Sequence, residues 1–332
     1  MRKSLVFFVL LSAIVILGCA QQAPEKPSET TPVATTPEVY HLTILTGGAA
    51  GTYYPIGGAM ANIINKYVYV DGVEATAVTS GASVANARKL GSGEAELALL
   101  QNDIAYYAYH GIEMFKDNPI KNIRGIATLY PEVIQIVTLK DKGIRTIYDL
   151  KGKKVAVGAP GSGTAVDALQ ILEAAGINES NTHFEYLNFK EVADALKDGT
   201  IDAGFIVAGV PTSAVMELAS VRDVYIVEVP DEIYEKLKEK YPFYTQYIIP
   251  AETYKGLDKD VKSVAVMAML ATREDIPKDI IYKVTKAIFE HTDELVEAHQ
   301  RAKDITLETA LDGMSIPLHP GAEKFYKEKG LI

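Results

Sequence analysis

Leu90-Gly91-Ser92-Gly93-Glu94-Ala95-Glu96-Leu97-Ala98 returns in the second half of the chain as Leu196-Lys197-Asp198-Gly199-Thr200-Ile201-Asp202-Ala203-Gly204. Each stretch reads as the end of a helix, a glycine that stops it, an acidic residue and the start of an apolar strand. Upstream of each lies a glycine-bearing turn that opens a helix, Gly51-Thr52 in the first half and Gly163-Thr164 in the second. The repeated plan predicts two similar lobes with a ligand cleft between them.

Strand and helix patterns alternate around these stretches. Leu42 to Leu45, Val73 to Val78, Ala95 to Leu100, Ile134 to Leu139, Lys154 to Val157, Phe184 to Leu187, Ile201 to Val207 and Val224 to Val229 read as strands. Pro55 to Tyr67 has helical spacing, with Ile56, Met60, Ile63, Ile64 and Tyr67 on one face. Ser83 to Leu90, Thr164 to Ala175 and 190 to 198 read as helices, and the pattern from Pro277 onward is mostly helical. Such alternation predicts an α/β fold of open sheets with crossover helices.

The chain has 332 residues, 48% hydrophobic and 23% charged, which is a globular composition. Its 33 basic and 43 acidic residues give a formal charge of −10, which argues against nucleic acid as a partner. A small anion can still be held by backbone N–H groups. One cysteine, Cys19, leaves no intrachain disulfide or Cys-pair zinc site, and the six histidines are scattered without an HExxH motif. No metal or cofactor is expected.

Residues 1–19 read as an export signal, with Arg2 and Lys3 before an apolar stretch from Leu5 to Leu17. Ile16-Leu17-Gly18-Cys19 resembles a lipoprotein signal box, in which Cys19 would receive lipid and anchor the protein to the outer face of the cell membrane. Residues 20–39, rich in Gln, Pro, Glu, Ser and Thr, read as a disordered tether.

Two turns are candidates for chemistry. Thr46 to Pro55 joins a strand to a helix, and its glycines let the backbone approach a ligand while Thr52 and Tyr53 add hydroxyls. Gly158-Ala159-Pro160-Gly161-Ser162-Gly163-Thr164 lacks the Lys of a P-loop and the spacing of a GxSxG elbow, so it reads as an anion cradle with Ser162 and Thr164 as donors. Further polar residues stand at strand ends, where open α/β sheets bind ligands. Ser80 follows one strand, with Ser83 a plausible helix cap. Gln101 ends another and has no capping role, whereas Asn102 and Asp103 fit equally as caps or ligand contacts. Tyr130-Pro131-Glu132 interrupts an apolar stretch where the chain can cross between lobes. Arg88, Glu94, Glu96 and Asp202 read as solvated charges, and no nucleophile accompanies the acids.

Gly51 to Gly58, the helix of Ser83 and Asn86, Gly93-Glu94 through Gln101, Asp149 to Val155 leading into Gly158 to Thr164, and Pro317-Leu318-His319-Pro320-Gly321-Ala322 together resemble the TAXI family, the extracytoplasmic solute receptors of TRAP transporters. The resemblance implies a type II periplasmic-binding-protein fold and a membrane permease of fused small and large subunits, driven by an ion gradient. It implies a small carboxylate or amino-acid ligand, such as glutamate, glutamine or a dicarboxylate. By motif it places Gly51, Thr52, Tyr53, Ser80 and Gln101 of one lobe and Ser162, Gly163 and Thr164 of the other on the ligand; Asn102 and Tyr130 are added from their position. The expected domains are residues 40–129 as the first part of lobe one, 130–247 as lobe two, and 248–332 as the return to lobe one. The rival readings are a ligand-sensing lipoprotein, the receptor of an ATP-driven importer and, further off, an enzyme on the same fold.

Overall fold

A computed structural model describes residues 39–332, so the export signal, Cys19 and nearly all of the expected tether lie outside the described residues. The first half opens with β1 (Tyr40–Leu45), α1 (Tyr53–Tyr67), β2 (Val73–Val78), α2 (Ser83–Ser92), β3 (Leu97–Gln101) and α3 (Asn102–His110). A long strand, β4 (Ile123–Leu139), leads to β5 (Lys154–Ala156), α4 (Gly163–Ala174), β6 (His183–Glu185), α5 (Phe189–Lys197) and β7 (Ala203–Ala208). Then come α6 (Ser213–Val221), β8 (Val224–Val227), α7 (Asp231–Lys240), β9 (Thr245–Ile249) and a second long strand, β10 (Val261–Arg273). The helices α8 (Lys278–Glu290), α9 (Thr292–Ala298) and α10 (Pro320–Glu328) close the chain. Among the described residues no helix is long and apolar enough to cross a membrane.

The strands form one hydrogen-bonded path, β2-β1-β3-β10-β4-β7-β5-β6, with β8 also on β4 and β9 also on β10. β1, β2 and β3 pair in parallel, as do β5, β6 and β7. The two parallel groups are joined by β4 and β10, which run antiparallel and exchange partners near Val133 and Ala265. On one side of that point β10 lies between β3 and β4; on the other, β4 holds β7 and β8 while β10 holds β9. The fold is therefore an α/β mixed sheet with flanking helices, in two halves that share two strands.

The repeated stretches are the same corner built twice. Gly93 and Gly199 both take left-handed φ, +82° and +75°. Gly93 N–H donates to Leu90 O, and Gly199 N–H to Leu196 O, both at 3.1 Å. The acids that follow, read as solvated charges, are fastened instead. Glu96 Oε2 accepts from Thr43 N–H at 2.8 Å, and Asp202 Oδ2 from Lys154 N–H at 2.9 Å. Each ties its own strand to the parallel neighbour. Thr272 of β10 donates to Glu96 O and Thr138 of β4 to Asp202 O, so each long strand does for one half what the other does for the other.

Packing follows the patterns. The apolar face of α1 buries Ile56, Met60, Ile63 and Ile64 completely, each contributing roughly 1.5–3 kcal/mol. Apolar residues of α3 and α4 meet in one cluster, so the halves touch beneath the cleft through a shared core. Two local readings are corrected. Ser83 does not cap α2; Ala82 holds that position, and the Ser83 hydroxyl accepts from Gln101 N–H. β10 carried no strand signal, although it is central to the sheet.

Candidate functional site

A cavity of about 420 Å³ lies between the halves, within the usual range for small-molecule sites. Its walls come from the C-terminal ends of parallel strands and the helix starts that follow them. Thr52 opens α1, Ala82 opens α2, Ser162 opens α4 and Asn188 opens α5, and all four line the cavity. Four helix N-termini thus face one space, each with a partial positive charge.

Their free N–H groups differ. Ser162 Oγ accepts from Ala165 N–H at 3.1 Å, and Asn188 forms a reciprocal cap with Glu191. Neither Thr52 nor Ala82 supplies a side-chain cap. Ala82 also sits at φ 63°, ψ −154°, a region that is strained for any residue with a side chain. The Ser80 hydroxyl accepts from Ala82 N–H and donates to Thr46 O, which holds that turn in place.

The halves meet closely around the cavity. The Thr52 hydroxyl donates to Gly209 O at 3.4 Å, and Ala85 N–H donates to Gly161 O at 3.0 Å. Gln101 Nε2 crosses to Asp167 Oδ2 at 2.8 Å. At Gly163 a Cβ would overlap the Gln101 side-chain oxygen, so only glycine lets α4 approach this near. Gly158, at φ +106°, makes the preceding bend.

At the floor of the cavity lies a buried cluster of acids and hydroxyls. Glu132 of β4 is 3% exposed, and its Oε2 accepts from the Tyr53 hydroxyl at 2.9 Å. Burial pushes the Glu132 carboxyl up to about 8 and that of Asp103 up to about 7. Asp167 is raised well above the carboxylate range by burial, and it accepts from Gln101 and from the Tyr244 hydroxyl. Both oxygens of Asp103 and Oε1 of Gln101 are buried without a hydrogen-bond partner among the described residues.

Gly51, Thr52, Tyr53, Ser80 and Gln101 line the cavity from one half, and Ser162, Gly163 and Thr164 from the other. Asn102 and Tyr130 are not part of its walls. Asn102 Oδ1 accepts from Met267 N–H and its Nδ2 donates to Gly313 O, each at 3.0 Å, so it fastens α3 to β10 and the C-terminal segment. Register shifts put extra residues of β4 opposite β10 just before Pro131. This bulge accommodates the proline and turns Tyr130 into the apolar core. Gln101 occupies the N-cap position of α3, but its side chain makes no capping bond. Arg88 lies over Phe115, away from the cavity.

Glu132, Asp103, Asp167 and Tyr244 were not singled out from the sequence as a group. Glu132 carried a signal, being the one acid in the apolar run of β4. The others come together only through the fold.

The solved structures of similar fold include a putative L-cystine ABC transporter protein from Listeria monocytogenes, 17% identical, covering 82% of this chain and 98% of that one with a TM-score of 0.49. They include the alkanesulfonate-binding protein SsuA from Xanthomonas axonopodis pv. citri bound to MOPS, at 14%, 88%, 85% and 0.44 in the same order. The periplasmic aliphatic sulphonate binding protein SsuA from Escherichia coli stands at 14%, 88%, 79% and 0.46. One family model covers most of the sequence, residues 44–330, and by that match the chain belongs to the NMT1-like family.

Proposed function

We propose that the protein is a solute-binding receptor outside the cytoplasm, which captures a small carboxylate and delivers it to a membrane permease. The observation that carries this reading is the cavity between the halves, where four helix N-termini point at a space that could hold a ligand. Residues 40–129 with the C-terminal part of the chain form the binding lobe, and the second half forms the lobe that closes on it; Ile249, Tyr254, Leu257 and Val261 pack in the second half's core, so the chain returns to the binding lobe within β10 and not at the expected residue 248. Contacts from both lobes favour the closed arrangement, so ligand shifts an open–closed equilibrium. Thr52, Tyr53, Gln101 and Gly163 are the contacts on which this depends; Ser80 and Ser162 shape the turns. Lipid on Cys19 would hold the receptor at the membrane, and intact-mass measurement of the cell-derived protein tests that.

The permease is of one of two kinds. Membership in the NMT1-like family leaves room for the receptor of an ATP-driven importer, and we place that reading first. The TRAP-type, ion-gradient-driven permease of the TAXI receptors rests on the motifs alone. Uptake by cells expressing the receptor with its neighbouring transporter genes separates them: ATP depletion at constant ion gradient stops the first, and an ionophore at constant ATP stops the second.

Binding itself is tested by mass spectrometry of what co-purifies with the protein, then by thermal shift against carboxylates and amino acids. A carboxylate that stabilises the protein without being consumed supports a receptor. Chemical conversion of that compound overturns the reading in favour of an enzyme.

A further inference from the structure

We propose that Asp103 and Asp167 share a proton across the seam between the halves, forming a latch that acid closes and alkali opens. The latch rests on the receptor's closure and adds a control to it, whatever the ligand.

The two carboxyls come from different halves. Asp103 sits in the first turn of α3 and Asp167 on α4, and both are fully buried. Their side chains lie within hydrogen-bond reach of each other. Beside them Gln101 Nε2 crosses the seam to Asp167 at 2.8 Å, and Ala85 N–H crosses it to Gly161 O at 3.0 Å.

The cluster is short of hydrogens. Asp167 Oδ1 and Gln170 Oε1 both face the Tyr244 hydroxyl, at 3.0 and 2.8 Å, but a hydroxyl has one hydrogen to give. Both oxygens of Asp103 and Oε1 of Gln101 have no donor among the described residues. Two ionised carboxylates would be acceptors side by side in a buried place, which is costly. One proton on the pair turns that repulsion into an O–H···O bond, as between two carboxyls that cannot both ionise.

Among the described residues no cationic side chain takes the proton's place. Around the pair stand Gln101 at the end of β3, Tyr107 of α3 and Gln170 of α4. Glu132 of β4 follows, with Tyr53 of α1 behind it, and Tyr241 and Tyr244 lie between α7 and β9. None of them is Lys, Arg or His.

Burial holds the Asp103 proton up to about pH 7 and the Asp167 proton higher still. Once the halves part, water reaches both carboxyls and each returns toward its ordinary value near 4. Closing therefore takes protons from solvent: an O–H bond forms on the pair as the halves meet and breaks as they part. Closure is supported fully below about pH 4. It loses two protons' worth of support as pH rises to about 7, and one proton's worth beyond.

The test is hydrogen exchange of the full-length, ligand-free protein between pH 6 and 8, corrected for the intrinsic pH dependence of exchange. The Ala85 amide reports the seam, and the Ile44 amide, inside β1, reports unfolding. Ala85 should exchange faster than Ile44, and its protection should fall by at least about tenfold per pH unit, the effect of one proton. Asp167→Asn should remove most of that fall, because its amide offers Asp103 a hydrogen at every pH. Asp103→Asn serves if the first variant does not fold. A fall that persists in the folded variant, or no fall in the wild type, overturns the latch and leaves the receptor standing. So does protection that rises when sodium replaces choline in the buffer, which would put a cation in the proton's place. If Ala85 exchanges only as fast as Ile44, the halves do not part short of unfolding, and the closing receptor is overturned with the latch.

Discussion

The helix starts of the two halves face the same cavity but are finished differently. In the second half, α4 and α5 carry side-chain caps, Ser162 and Asn188 with Glu191. In the first half, α1 and α2 have no side-chain caps. A side-chain cap takes one N–H of a helix start: at α4 it takes that of Ala165 and at α5 that of Glu191, while at α2 the Ala85 N–H is taken by Gly161 O of the other half. The second half finishes its helix starts from within, whereas the start of α2 in the first half is finished by a carbonyl of the second, which makes it part of the seam between them. The acids show the same division: Glu132 borders the cavity, while Asp167 meets Gln101 at the seam.

The first test bears on the closure half. Gly163→Val would push the start of α4 off Gln101, and ligand affinity should fall by about 10- to 100-fold, the scale of an overpacked contact. Unchanged affinity would separate closure from binding and break the comparison. Thr52 and Ser162 then make a matched pair. Thr52→Val should weaken ligand binding by about 1–3 kcal/mol while leaving the fold intact. Ser162→Ala should instead lower stability by about 1 kcal/mol and change affinity little, because its hydroxyl is already taken by Ala165 N–H and Ala159 O. Calorimetry and thermal unfolding on both variants read the two effects, and the reverse pattern would move the ligand contact from Thr52 to Ser162.

The last expectation concerns pH and reads stability instead of affinity. Glu132, Asp103 and Asp167 hold protons in the folded state that the unfolded chain gives up near pH 4. Their contribution to stability is complete below that pH and is lost as pH rises through about 7 to 8, where Asp103 and Glu132 release their protons. The melting temperature should therefore fall by about ten degrees or more between mildly acidic and mildly alkaline solution, at about 1.4 kcal/mol per pH unit for each such acid and about 2–4 °C per kcal/mol for a body this large. Asp167→Asn should flatten the slope. A melting temperature that rises over the same interval would show that these acids are ionised inside.

Much of this was legible in the sequence because backbone geometry demanded it. Gly93 and Gly199 announced their corners, since left-handed φ favours glycine. The turns at Gly51 and Gly163 marked strand ends, and strand ends line the cavity. β10 was silent for a physical reason. Its sequence, VKSVAVMAMLATR, is rich in Ala and Met, which favour helix, and it is buried on both faces, so it shows no alternation. Asn102 and Tyr130 were misplaced because a strand end names a neighbourhood, not the direction of a side chain. The bulge that turns Tyr130 inward depends on β10, which lies far along the chain. Asp103 and Asp167 could not be joined without the fold, because α3 and α4 belong to different halves.

The position of β10 also has a consequence for how the protein is made. It is the strand between β3 and β4, yet it occupies residues 261–273. Until that segment emerges, a growing chain carries the edges of β3 and β4 with their ladder groups unpaired. Neither half can finish its sheet on its own schedule, and pairings so distant in sequence form slowly. A chain halted before residue 261 is thus expected to be a sticky, protease-sensitive intermediate rather than a smaller folded protein.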